Sequence, residues 1–132
     1  MSGYTTTKKQ VKGKGGGKHG AGLWIAERLS SLILIPLTLW GVWAGVQIAA
    51  ADGRQGAVEF LSVPLNAVLM IAVVVVSLWH MHMGMRVIVE DYLHKAFGKG
   101  AALFVNFVVC AGLGLAAVFS ILMVAFGRGL GV

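Results

Sequence analysis

The sequence is poor in charge and in cysteine. Charged residues make up 12% of the 132 residues, whereas hydrophobic residues make up 58%. An ordinary soluble domain has about 25% charged and about 45–50% apolar residues. The single cysteine, Cys110, has no partner for an internal disulfide, and its apolar surroundings predict a small buried side chain. These shortages argue against a soluble enzyme and predict a chain that lies in lipid.

The positive charge is concentrated near the start of the chain. The net charge is +6, and the lysines that precede the first apolar segment are Lys8, Lys9, Lys12, Lys14 and Lys18. A basic tail can bind nucleic acid or anionic lipid. Because this tail precedes a membrane span, we interpret it as a topology signal and expect no nucleic-acid partner. Residues 1–22 are therefore predicted to form a flexible cytoplasmic tail, and residues 23–132 a membrane domain.

Three apolar segments are long enough to cross a bilayer as helices. They cover residues 29–51, 64–89 and 101–126, and a span needs about 20 residues. The sequence thus predicts an all-α integral membrane protein with three transmembrane helices and a short loop at 52–63. Two stripes of small residues predict helix-packing faces. These stripes are Gly41, Gly45 and Ala49 in the first span and Gly112, Ala116 and Ser120 in the third.

The distribution of basic residues predicts the orientation. The N-terminal segment and the second connection, with Lys95 and Lys99, carry more positive charge than the first loop or the C-terminus. The positive-inside rule places the N-terminus and the second connection in the cytoplasm and the C-terminus in the periplasm. The sequence starts with neither a secretory h-region nor an Arg-rich presequence, which favours the bacterial inner membrane.

The second span contains two histidines, which are expensive in lipid and therefore functional candidates. His80 and His82 lie about 200° apart around a helix, so they cannot ligate the same metal ion. His80 shares a stripe with Gly84 and with Asp91, which is about 20° away in projection. A glycine one turn from a histidine leaves room for a flat group such as haem b, held by neutral imidazole. The alternative is a histidine satisfied by a neighbouring helix.

Three further residues have both an ordinary and a functional interpretation. Tyr92 could anchor the helix at the membrane interface or donate its hydroxyl to a polar ligand headgroup. Arg28 could extend to the surface or hold an anionic propionate. Asp91 could support Tyr92 or pair with Arg86 or Arg28.

The motif His80-x-x-x-Gly84-x-x-x-Ile88-x-x-Asp91-Tyr92 resembles the second-helix signature of the hydrophobic membrane anchor subunit of bacterial succinate dehydrogenase. Residues 22–30, with Arg28 followed two positions later by Ser30, are similar to the entry of that family's first helix. The three-span layout, the basic start and the chain length agree, and the resemblance covers about residues 19–127.

This resemblance implies that His80 is one axial ligand of haem b, with Gly84 packing beside it. The second ligand would come from a companion cytochrome b subunit. Tyr92 would donate to ubiquinone, Asp91 would support that site, and Arg28 would lie near the haem propionates or the quinone pocket. The role of His82 stays open, and His94 is expected at the cytoplasmic surface.

By the same resemblance the chain is non-catalytic alone. It would tether a flavoprotein and an iron–sulfur subunit to the bilayer for electron transfer from succinate to ubiquinone. The alternatives are the anchor of a related quinone-linked cytochrome such as fumarate reductase, or a non-redox membrane scaffold. A non-redox scaffold would not explain why four residues of the second span have the spacing they do, namely His80, Gly84, Asp91 and Tyr92.

Overall fold

The computed structural model describes residues 17–51 and 53–130, and their regular structure is helical. The helices are α1 (Gly17–Ala50), α2 (Gly53–Ser62), α3 (Pro64–Tyr92) and α4 (Ala96–Leu130). Three segments are long and apolar enough to cross a membrane: Ala21–Ala50, Pro64–Tyr92 and Ala96–Gly127. This confirms the predicted all-α fold with three candidate transmembrane helices. The orientation of the termini stays a prediction.

The first helix begins earlier than the apolar pattern predicts. It starts at Gly17 rather than near Leu29, so residues 17–22, which were assigned to the tail, are helical. Residues 1–16 of the predicted tail lie outside the described residues. The charged pair Glu27 and Arg28 lowers the local hydropathy, but it does not interrupt the backbone hydrogen bonding of a helix. The helix also continues across Pro36.

A short helix, α2, replaces part of the predicted first loop. It begins at Gly53, whose φ of +53° is the left-handed conformation that glycine adopts without strain. Gly56 is buried against Ala51, the residue after α1, so an added Cβ atom would collide with the Cβ of Ala51. The indole rings of Trp40 and Trp43 lie 6.1 and 6.0 Å from the ring of Phe60, centroid to centroid, and hold α2 against α1.

The chain enters α3 through an extended residue followed by proline. Val63 has φ −78° and ψ 116°, and Pro64 occupies the first turn, where its missing N–H is not needed. The Asn66 side-chain amide donates to the carbonyl of Phe60 at 3.0 Å and so satisfies the end of α2. Leu61, Ala67 and Ile121 form a small apolar core at this end of the bundle.

Helix α3 is the centre of the bundle. It contacts both α1 and α4, whereas within the described residues α1 and α4 do not contact each other. The predicted small-residue stripes account for only part of this packing. A Cβ added at Gly41 would lie 3.6 Å from the Val73 side chain, but one added at Gly45 or Gly112 would meet no described atom within 4 Å. In α4 the close approach is instead at Gly114, where an added Cβ would lie 3.3 Å from the Leu78 side chain.

Candidate functional site

The two histidines of α3 lie on opposite faces, as their spacing predicts. His80 makes its polar contact with Ser30 of α1. His82 makes its polar contacts with Asn106 of α4. Each ring is therefore held by a different neighbouring helix, and the pair cannot chelate one metal ion.

The contact between α1 and α3 favours one of the two neutral tautomers of His80. Ser30 Oγ donates to the Glu27 carbonyl oxygen at 2.8 Å, one turn earlier in the helix. A serine hydroxyl has a single proton, so toward His80 Nδ1, at 3.0 Å, Oγ acts as the acceptor. In the arrangement that satisfies both contacts, Nδ1 is protonated in the neutral ring and the lone pair is on Nε2. That is the tautomer in which Nε2 can bind a metal.

The contact between α3 and α4 gives His82 the opposite tautomer. Asn106 Nδ2 lies 3.0 Å from the His82 carbonyl oxygen, which only accepts, so this atom is the amide nitrogen. Its second proton points to His82 Nδ1, also at 3.0 Å. Cys110 Sγ donates to Asn106 Oδ1 at 3.5 Å, which fits the same amide orientation. His82 therefore accepts at Nδ1 and carries its proton on Nε2, so it has no free lone pair for a metal.

Beside His80 there is a shallow cavity of about 240 Å³ between α1 and α3. Its lining residues are Trp24, Glu27, Arg28, Ser31 and His80. The Arg28 guanidinium lies 5.3 Å from the centre of the Trp24 ring in a cation–π contact. Arg28 and His80, which the sequence proposes for one site, thus line the same space.

The surface of α3 next to His80 is open. An added Cβ at Gly84 would meet no described atom within 4 Å. Gly84 and Asp91 project within about 40° of His80 on the helix, whereas Tyr92 lies about 120° away. Ile88 is exposed, and the Tyr92 ring is 79% exposed. No helix described in this chain fills the space that Gly84 leaves, which is what a flat group beside His80 requires.

The end of α3 near Tyr92 brings several polar groups together. Tyr92 and Asp91 are both exposed there. Arg86 Nε donates to Glu90 Oε1 at 2.9 Å, one turn along the helix. Arg86 therefore pairs with Glu90, and the suggested pairing with Asp91 is not found. Asp91 and Tyr92 are consecutive residues at this end of α3.

The opposite side of α3 forms an apolar groove of about 420 Å³ between α1 and α4. It is lined by Leu23 from α1, by Trp79 and His82 from α3 and by Phe107 from α4, among others. The His82 and Phe107 rings meet edge to face at 6.0 Å between centroids. Cys110, predicted to be a small buried side chain, is 7% exposed at the wall of this groove.

The described residues contain no cluster of three or more His, Cys, Asp or Glu side chains that could hold a metal ion. A group that takes one protein ligand from this chain would depend on His80, because of its free Nε2. The sequence analysis did not identify Ser30 as the hydrogen-bond partner of His80 or Asn106 as that of His82. A polar residue in an apolar span was the available signal in both cases.

Comparison with known proteins identifies a family. A family model described as succinate dehydrogenase/fumarate reductase transmembrane subunit matches residues 3–121. The succinate dehydrogenase hydrophobic membrane anchor subunit of Rickettsia conorii is 32% identical over 88 residues, covering 65% of this chain and 70% of that protein. The subunit of the same name from Rickettsia felis is 32% identical over 94 residues, covering 70% of this chain and 75% of that protein. No solved structure matches.

Proposed function

The chain belongs to the family of succinate dehydrogenase/fumarate reductase transmembrane subunits, and we propose that it is the membrane anchor of a succinate:ubiquinone oxidoreductase. Its relatives in Rickettsia bear the name of that anchor. Its three apolar helices provide the membrane attachment. In this role the chain tethers a flavoprotein and an iron–sulfur subunit to the bacterial inner membrane, with its N-terminus in the cytoplasm.

The observation that carries the cofactor assignment is the 3.0 Å contact between His80 Nδ1 and Ser30 Oγ, whose proton goes to the Glu27 carbonyl. In this arrangement Nε2 of His80 has a free lone pair. In His82, the bond from Asn106 occupies the Nδ1 lone pair, and Nε2 carries the proton. A ligating histidine characteristically donates its other ring N–H to a fixed acceptor. In the proposal, His80 is one axial ligand of haem b, and a companion cytochrome b subunit supplies the other.

The surroundings of His80 fit such a group. Gly84 leaves the adjacent surface open, so a flat macrocycle would not meet a side chain there. The cationic Arg28 lines the same cavity as His80 and would pair with a haem propionate or a quinone oxygen. When bound, the haem supplies a one-electron carrier, and this chain provides its ligation, orientation and local charge.

The quinone end of the site is proposed at Tyr92. Its ring is exposed about a third of a turn around the helix from His80, so its hydroxyl is free to donate to a carbonyl of ubiquinone. Asp91, the next residue along the chain, would hold that hydroxyl in place or accept its hydrogen bond in the absence of quinone. Twelve residues of helix separate Tyr92 from His80 by about 18 Å along the axis.

The proposal is tested by purifying the assembled complex through a tag on this chain. We expect flavoprotein and iron–sulfur subunits to copurify and the reduced-minus-oxidised spectrum to show a b-type haem. His80→Ala should remove the haem band, and His82→Ala, the matched histidine on the other face, should retain it. A wild-type complex without haem, or loss of haem only in His82→Ala, would contradict the assignment. Purification without the two partner subunits would contradict the anchor role itself.

A further inference from the structure

The hydroxyl of Ser30 is placed to control the ligand strength of His80. Ser30 is 7% exposed, and no other polar residue is buried in the part of the chain that the structure describes. Burial restricts the access of water, so no solvent molecule is expected to take over as acceptor for the His80 Nδ1–H if the hydroxyl is removed. An unsatisfied N–H in a membrane interior is costly. The imidazole and the hydroxyl therefore form a specific pair and not a chance surface contact.

The direction of this hydrogen bond has a chemical consequence. Because Ser30 Oγ donates its one proton to the Glu27 carbonyl, it acts as the acceptor toward His80. An acceptor at Nδ1–H increases the basicity of the ring at Nε2. A more basic axial imidazole favours the ferric over the ferrous state of a haem iron, and so lowers its reduction potential.

We propose that Ser30 is a positioning residue that holds His80 in the Nδ1-protonated tautomer and thereby tunes both the affinity and the reduction potential of the bound haem. The inference rests on the proposed function, because it requires that His80 ligates haem b. It differs from that function in assigning a role to a first-helix residue that does not touch the iron.

The experiment compares Ser30→Ala, Ser30→Val and Ser30→Thr in the purified complex. Threonine retains the hydroxyl, and valine has nearly the same shape without it, so this pair isolates the hydrogen bond from packing. Ser62→Ala is the matched control, because Ser62 Oγ also donates to a carbonyl three residues earlier, that of Glu59, at 2.7 Å. The readouts are the extent of haem transfer to apomyoglobin and the midpoint potential from a spectroscopic redox titration.

We expect Ser30→Ala and Ser30→Val to lose about 10- to 100-fold in haem affinity, the range for loss of such an outer partner. Their midpoint potential should rise. Ser30→Thr should restore both properties, and Ser62→Ala should match the wild type.

Two kinds of outcome would overturn the inference. Wild-type affinity and potential in the alanine and valine variants, with haem still lost in His80→Ala, would refute the role of Ser30 and leave the proposed function standing. Equal losses of haem affinity in Ser30→Thr and Ser30→Val, with wild-type affinity in Ser30→Ala, would follow side-chain size and assign Ser30 to helix packing instead. A wild-type complex without haem would reject the proposed function, and the inference with it.

Discussion

The His82–Asn106 clasp, meaning the two hydrogen bonds that Asn106 donates to His82, should stabilise the contact between α3 and α4 by a measurable amount. Asn106 donates twice to His82, once to the ring and once to the carbonyl. Interhelical side-chain hydrogen bonds in membranes contribute about 0.6 kcal/mol on average and about 1.7 kcal/mol at most. Asn106→Ala removes both bonds and should cost about 1.2–3.4 kcal/mol, whereas His82→Ala removes only the ring bond and should cost about 0.6–1.7 kcal/mol.

Cys110 is a built-in probe of this contact. It is the only cysteine of the chain and is buried one turn from Asn106. N-ethylmaleimide reacts with a buried thiol only after local opening, so its rate follows the free energy of that opening. At tenfold per about 1.4 kcal/mol, the labelling rate should rise about 3- to 18-fold in His82→Ala and about 8- to 300-fold in Asn106→Ala.

The assay is mass spectrometry of this subunit after timed labelling of the detergent-solubilised complex. His82→Ala is the more stringent variant, because it leaves the Cys110–Asn106 contact in place and does not change the thiol's own partner. Ser120→Ala is the control, since Ser120 Oγ bonds only within α4, to the Ala116 carbonyl at 2.8 Å. If both clasp variants label within twofold of the wild type and of Ser120→Ala, the clasp does not stabilise this contact and the reasoning is refuted.

Three further predictions concern other parts of the chain. Gly56→Ala should lower the thermal midpoint of the purified complex, because the added methyl group collides with Ala51 and overpacking costs about 1–3 kcal/mol. Gly84→Leu should reduce the haem content of the assembled complex in the pyridine haemochrome assay, because it fills the open surface beside His80. Tyr92→Phe should slow ubiquinone reduction in steady-state assays while leaving haem content unchanged, since it removes only the hydroxyl.

Each of these predictions has a control and a contradicting result. Gly22→Ala adds a methyl group where no described atom lies within 4 Å, so a midpoint shift equal to that of Gly56→Ala would argue against the collision. A Gly84→Leu complex with full haem content would remove Gly84 from the site. Ser62→Ala removes a hydroxyl from α2 and should not alter quinone kinetics; unchanged kinetics in Tyr92→Phe as well would exclude the tyrosine.

The large-scale features were predictable from sequence because they depend on hydropathy and helical period. Three apolar segments of sufficient length predict three helices, and a spacing of two residues separates His80 from His82 whatever surrounds them. The start of α1 was not predicted, since Glu27 and Arg28 reduce the hydropathy without breaking the helix. Helix α2 was also missed, because a helix of 10 residues is stabilised by packing, here on Trp40 and Trp43, more than by its own propensity.

The polar pairs were beyond sequence reasoning for a different reason. Ser30 and His80 are 50 residues apart in the chain, and Asn106 and His82 are 24 apart. Their contact depends on how far one helix slides along another, which the period of a single helix does not specify. The glycine stripes show the same limit, because Gly114 and not Gly112 proved to face α3.

The central position of α3 has a consequence for the order in which the protein is built. The Ser30–His80 contact needs only α1 and α3, and α1 does not contact α4 within the described residues. During synthesis these two helices, joined by α2, are complete before α4 leaves the ribosome. The Ser30–His80 contact can therefore form while the final helix is still being translated.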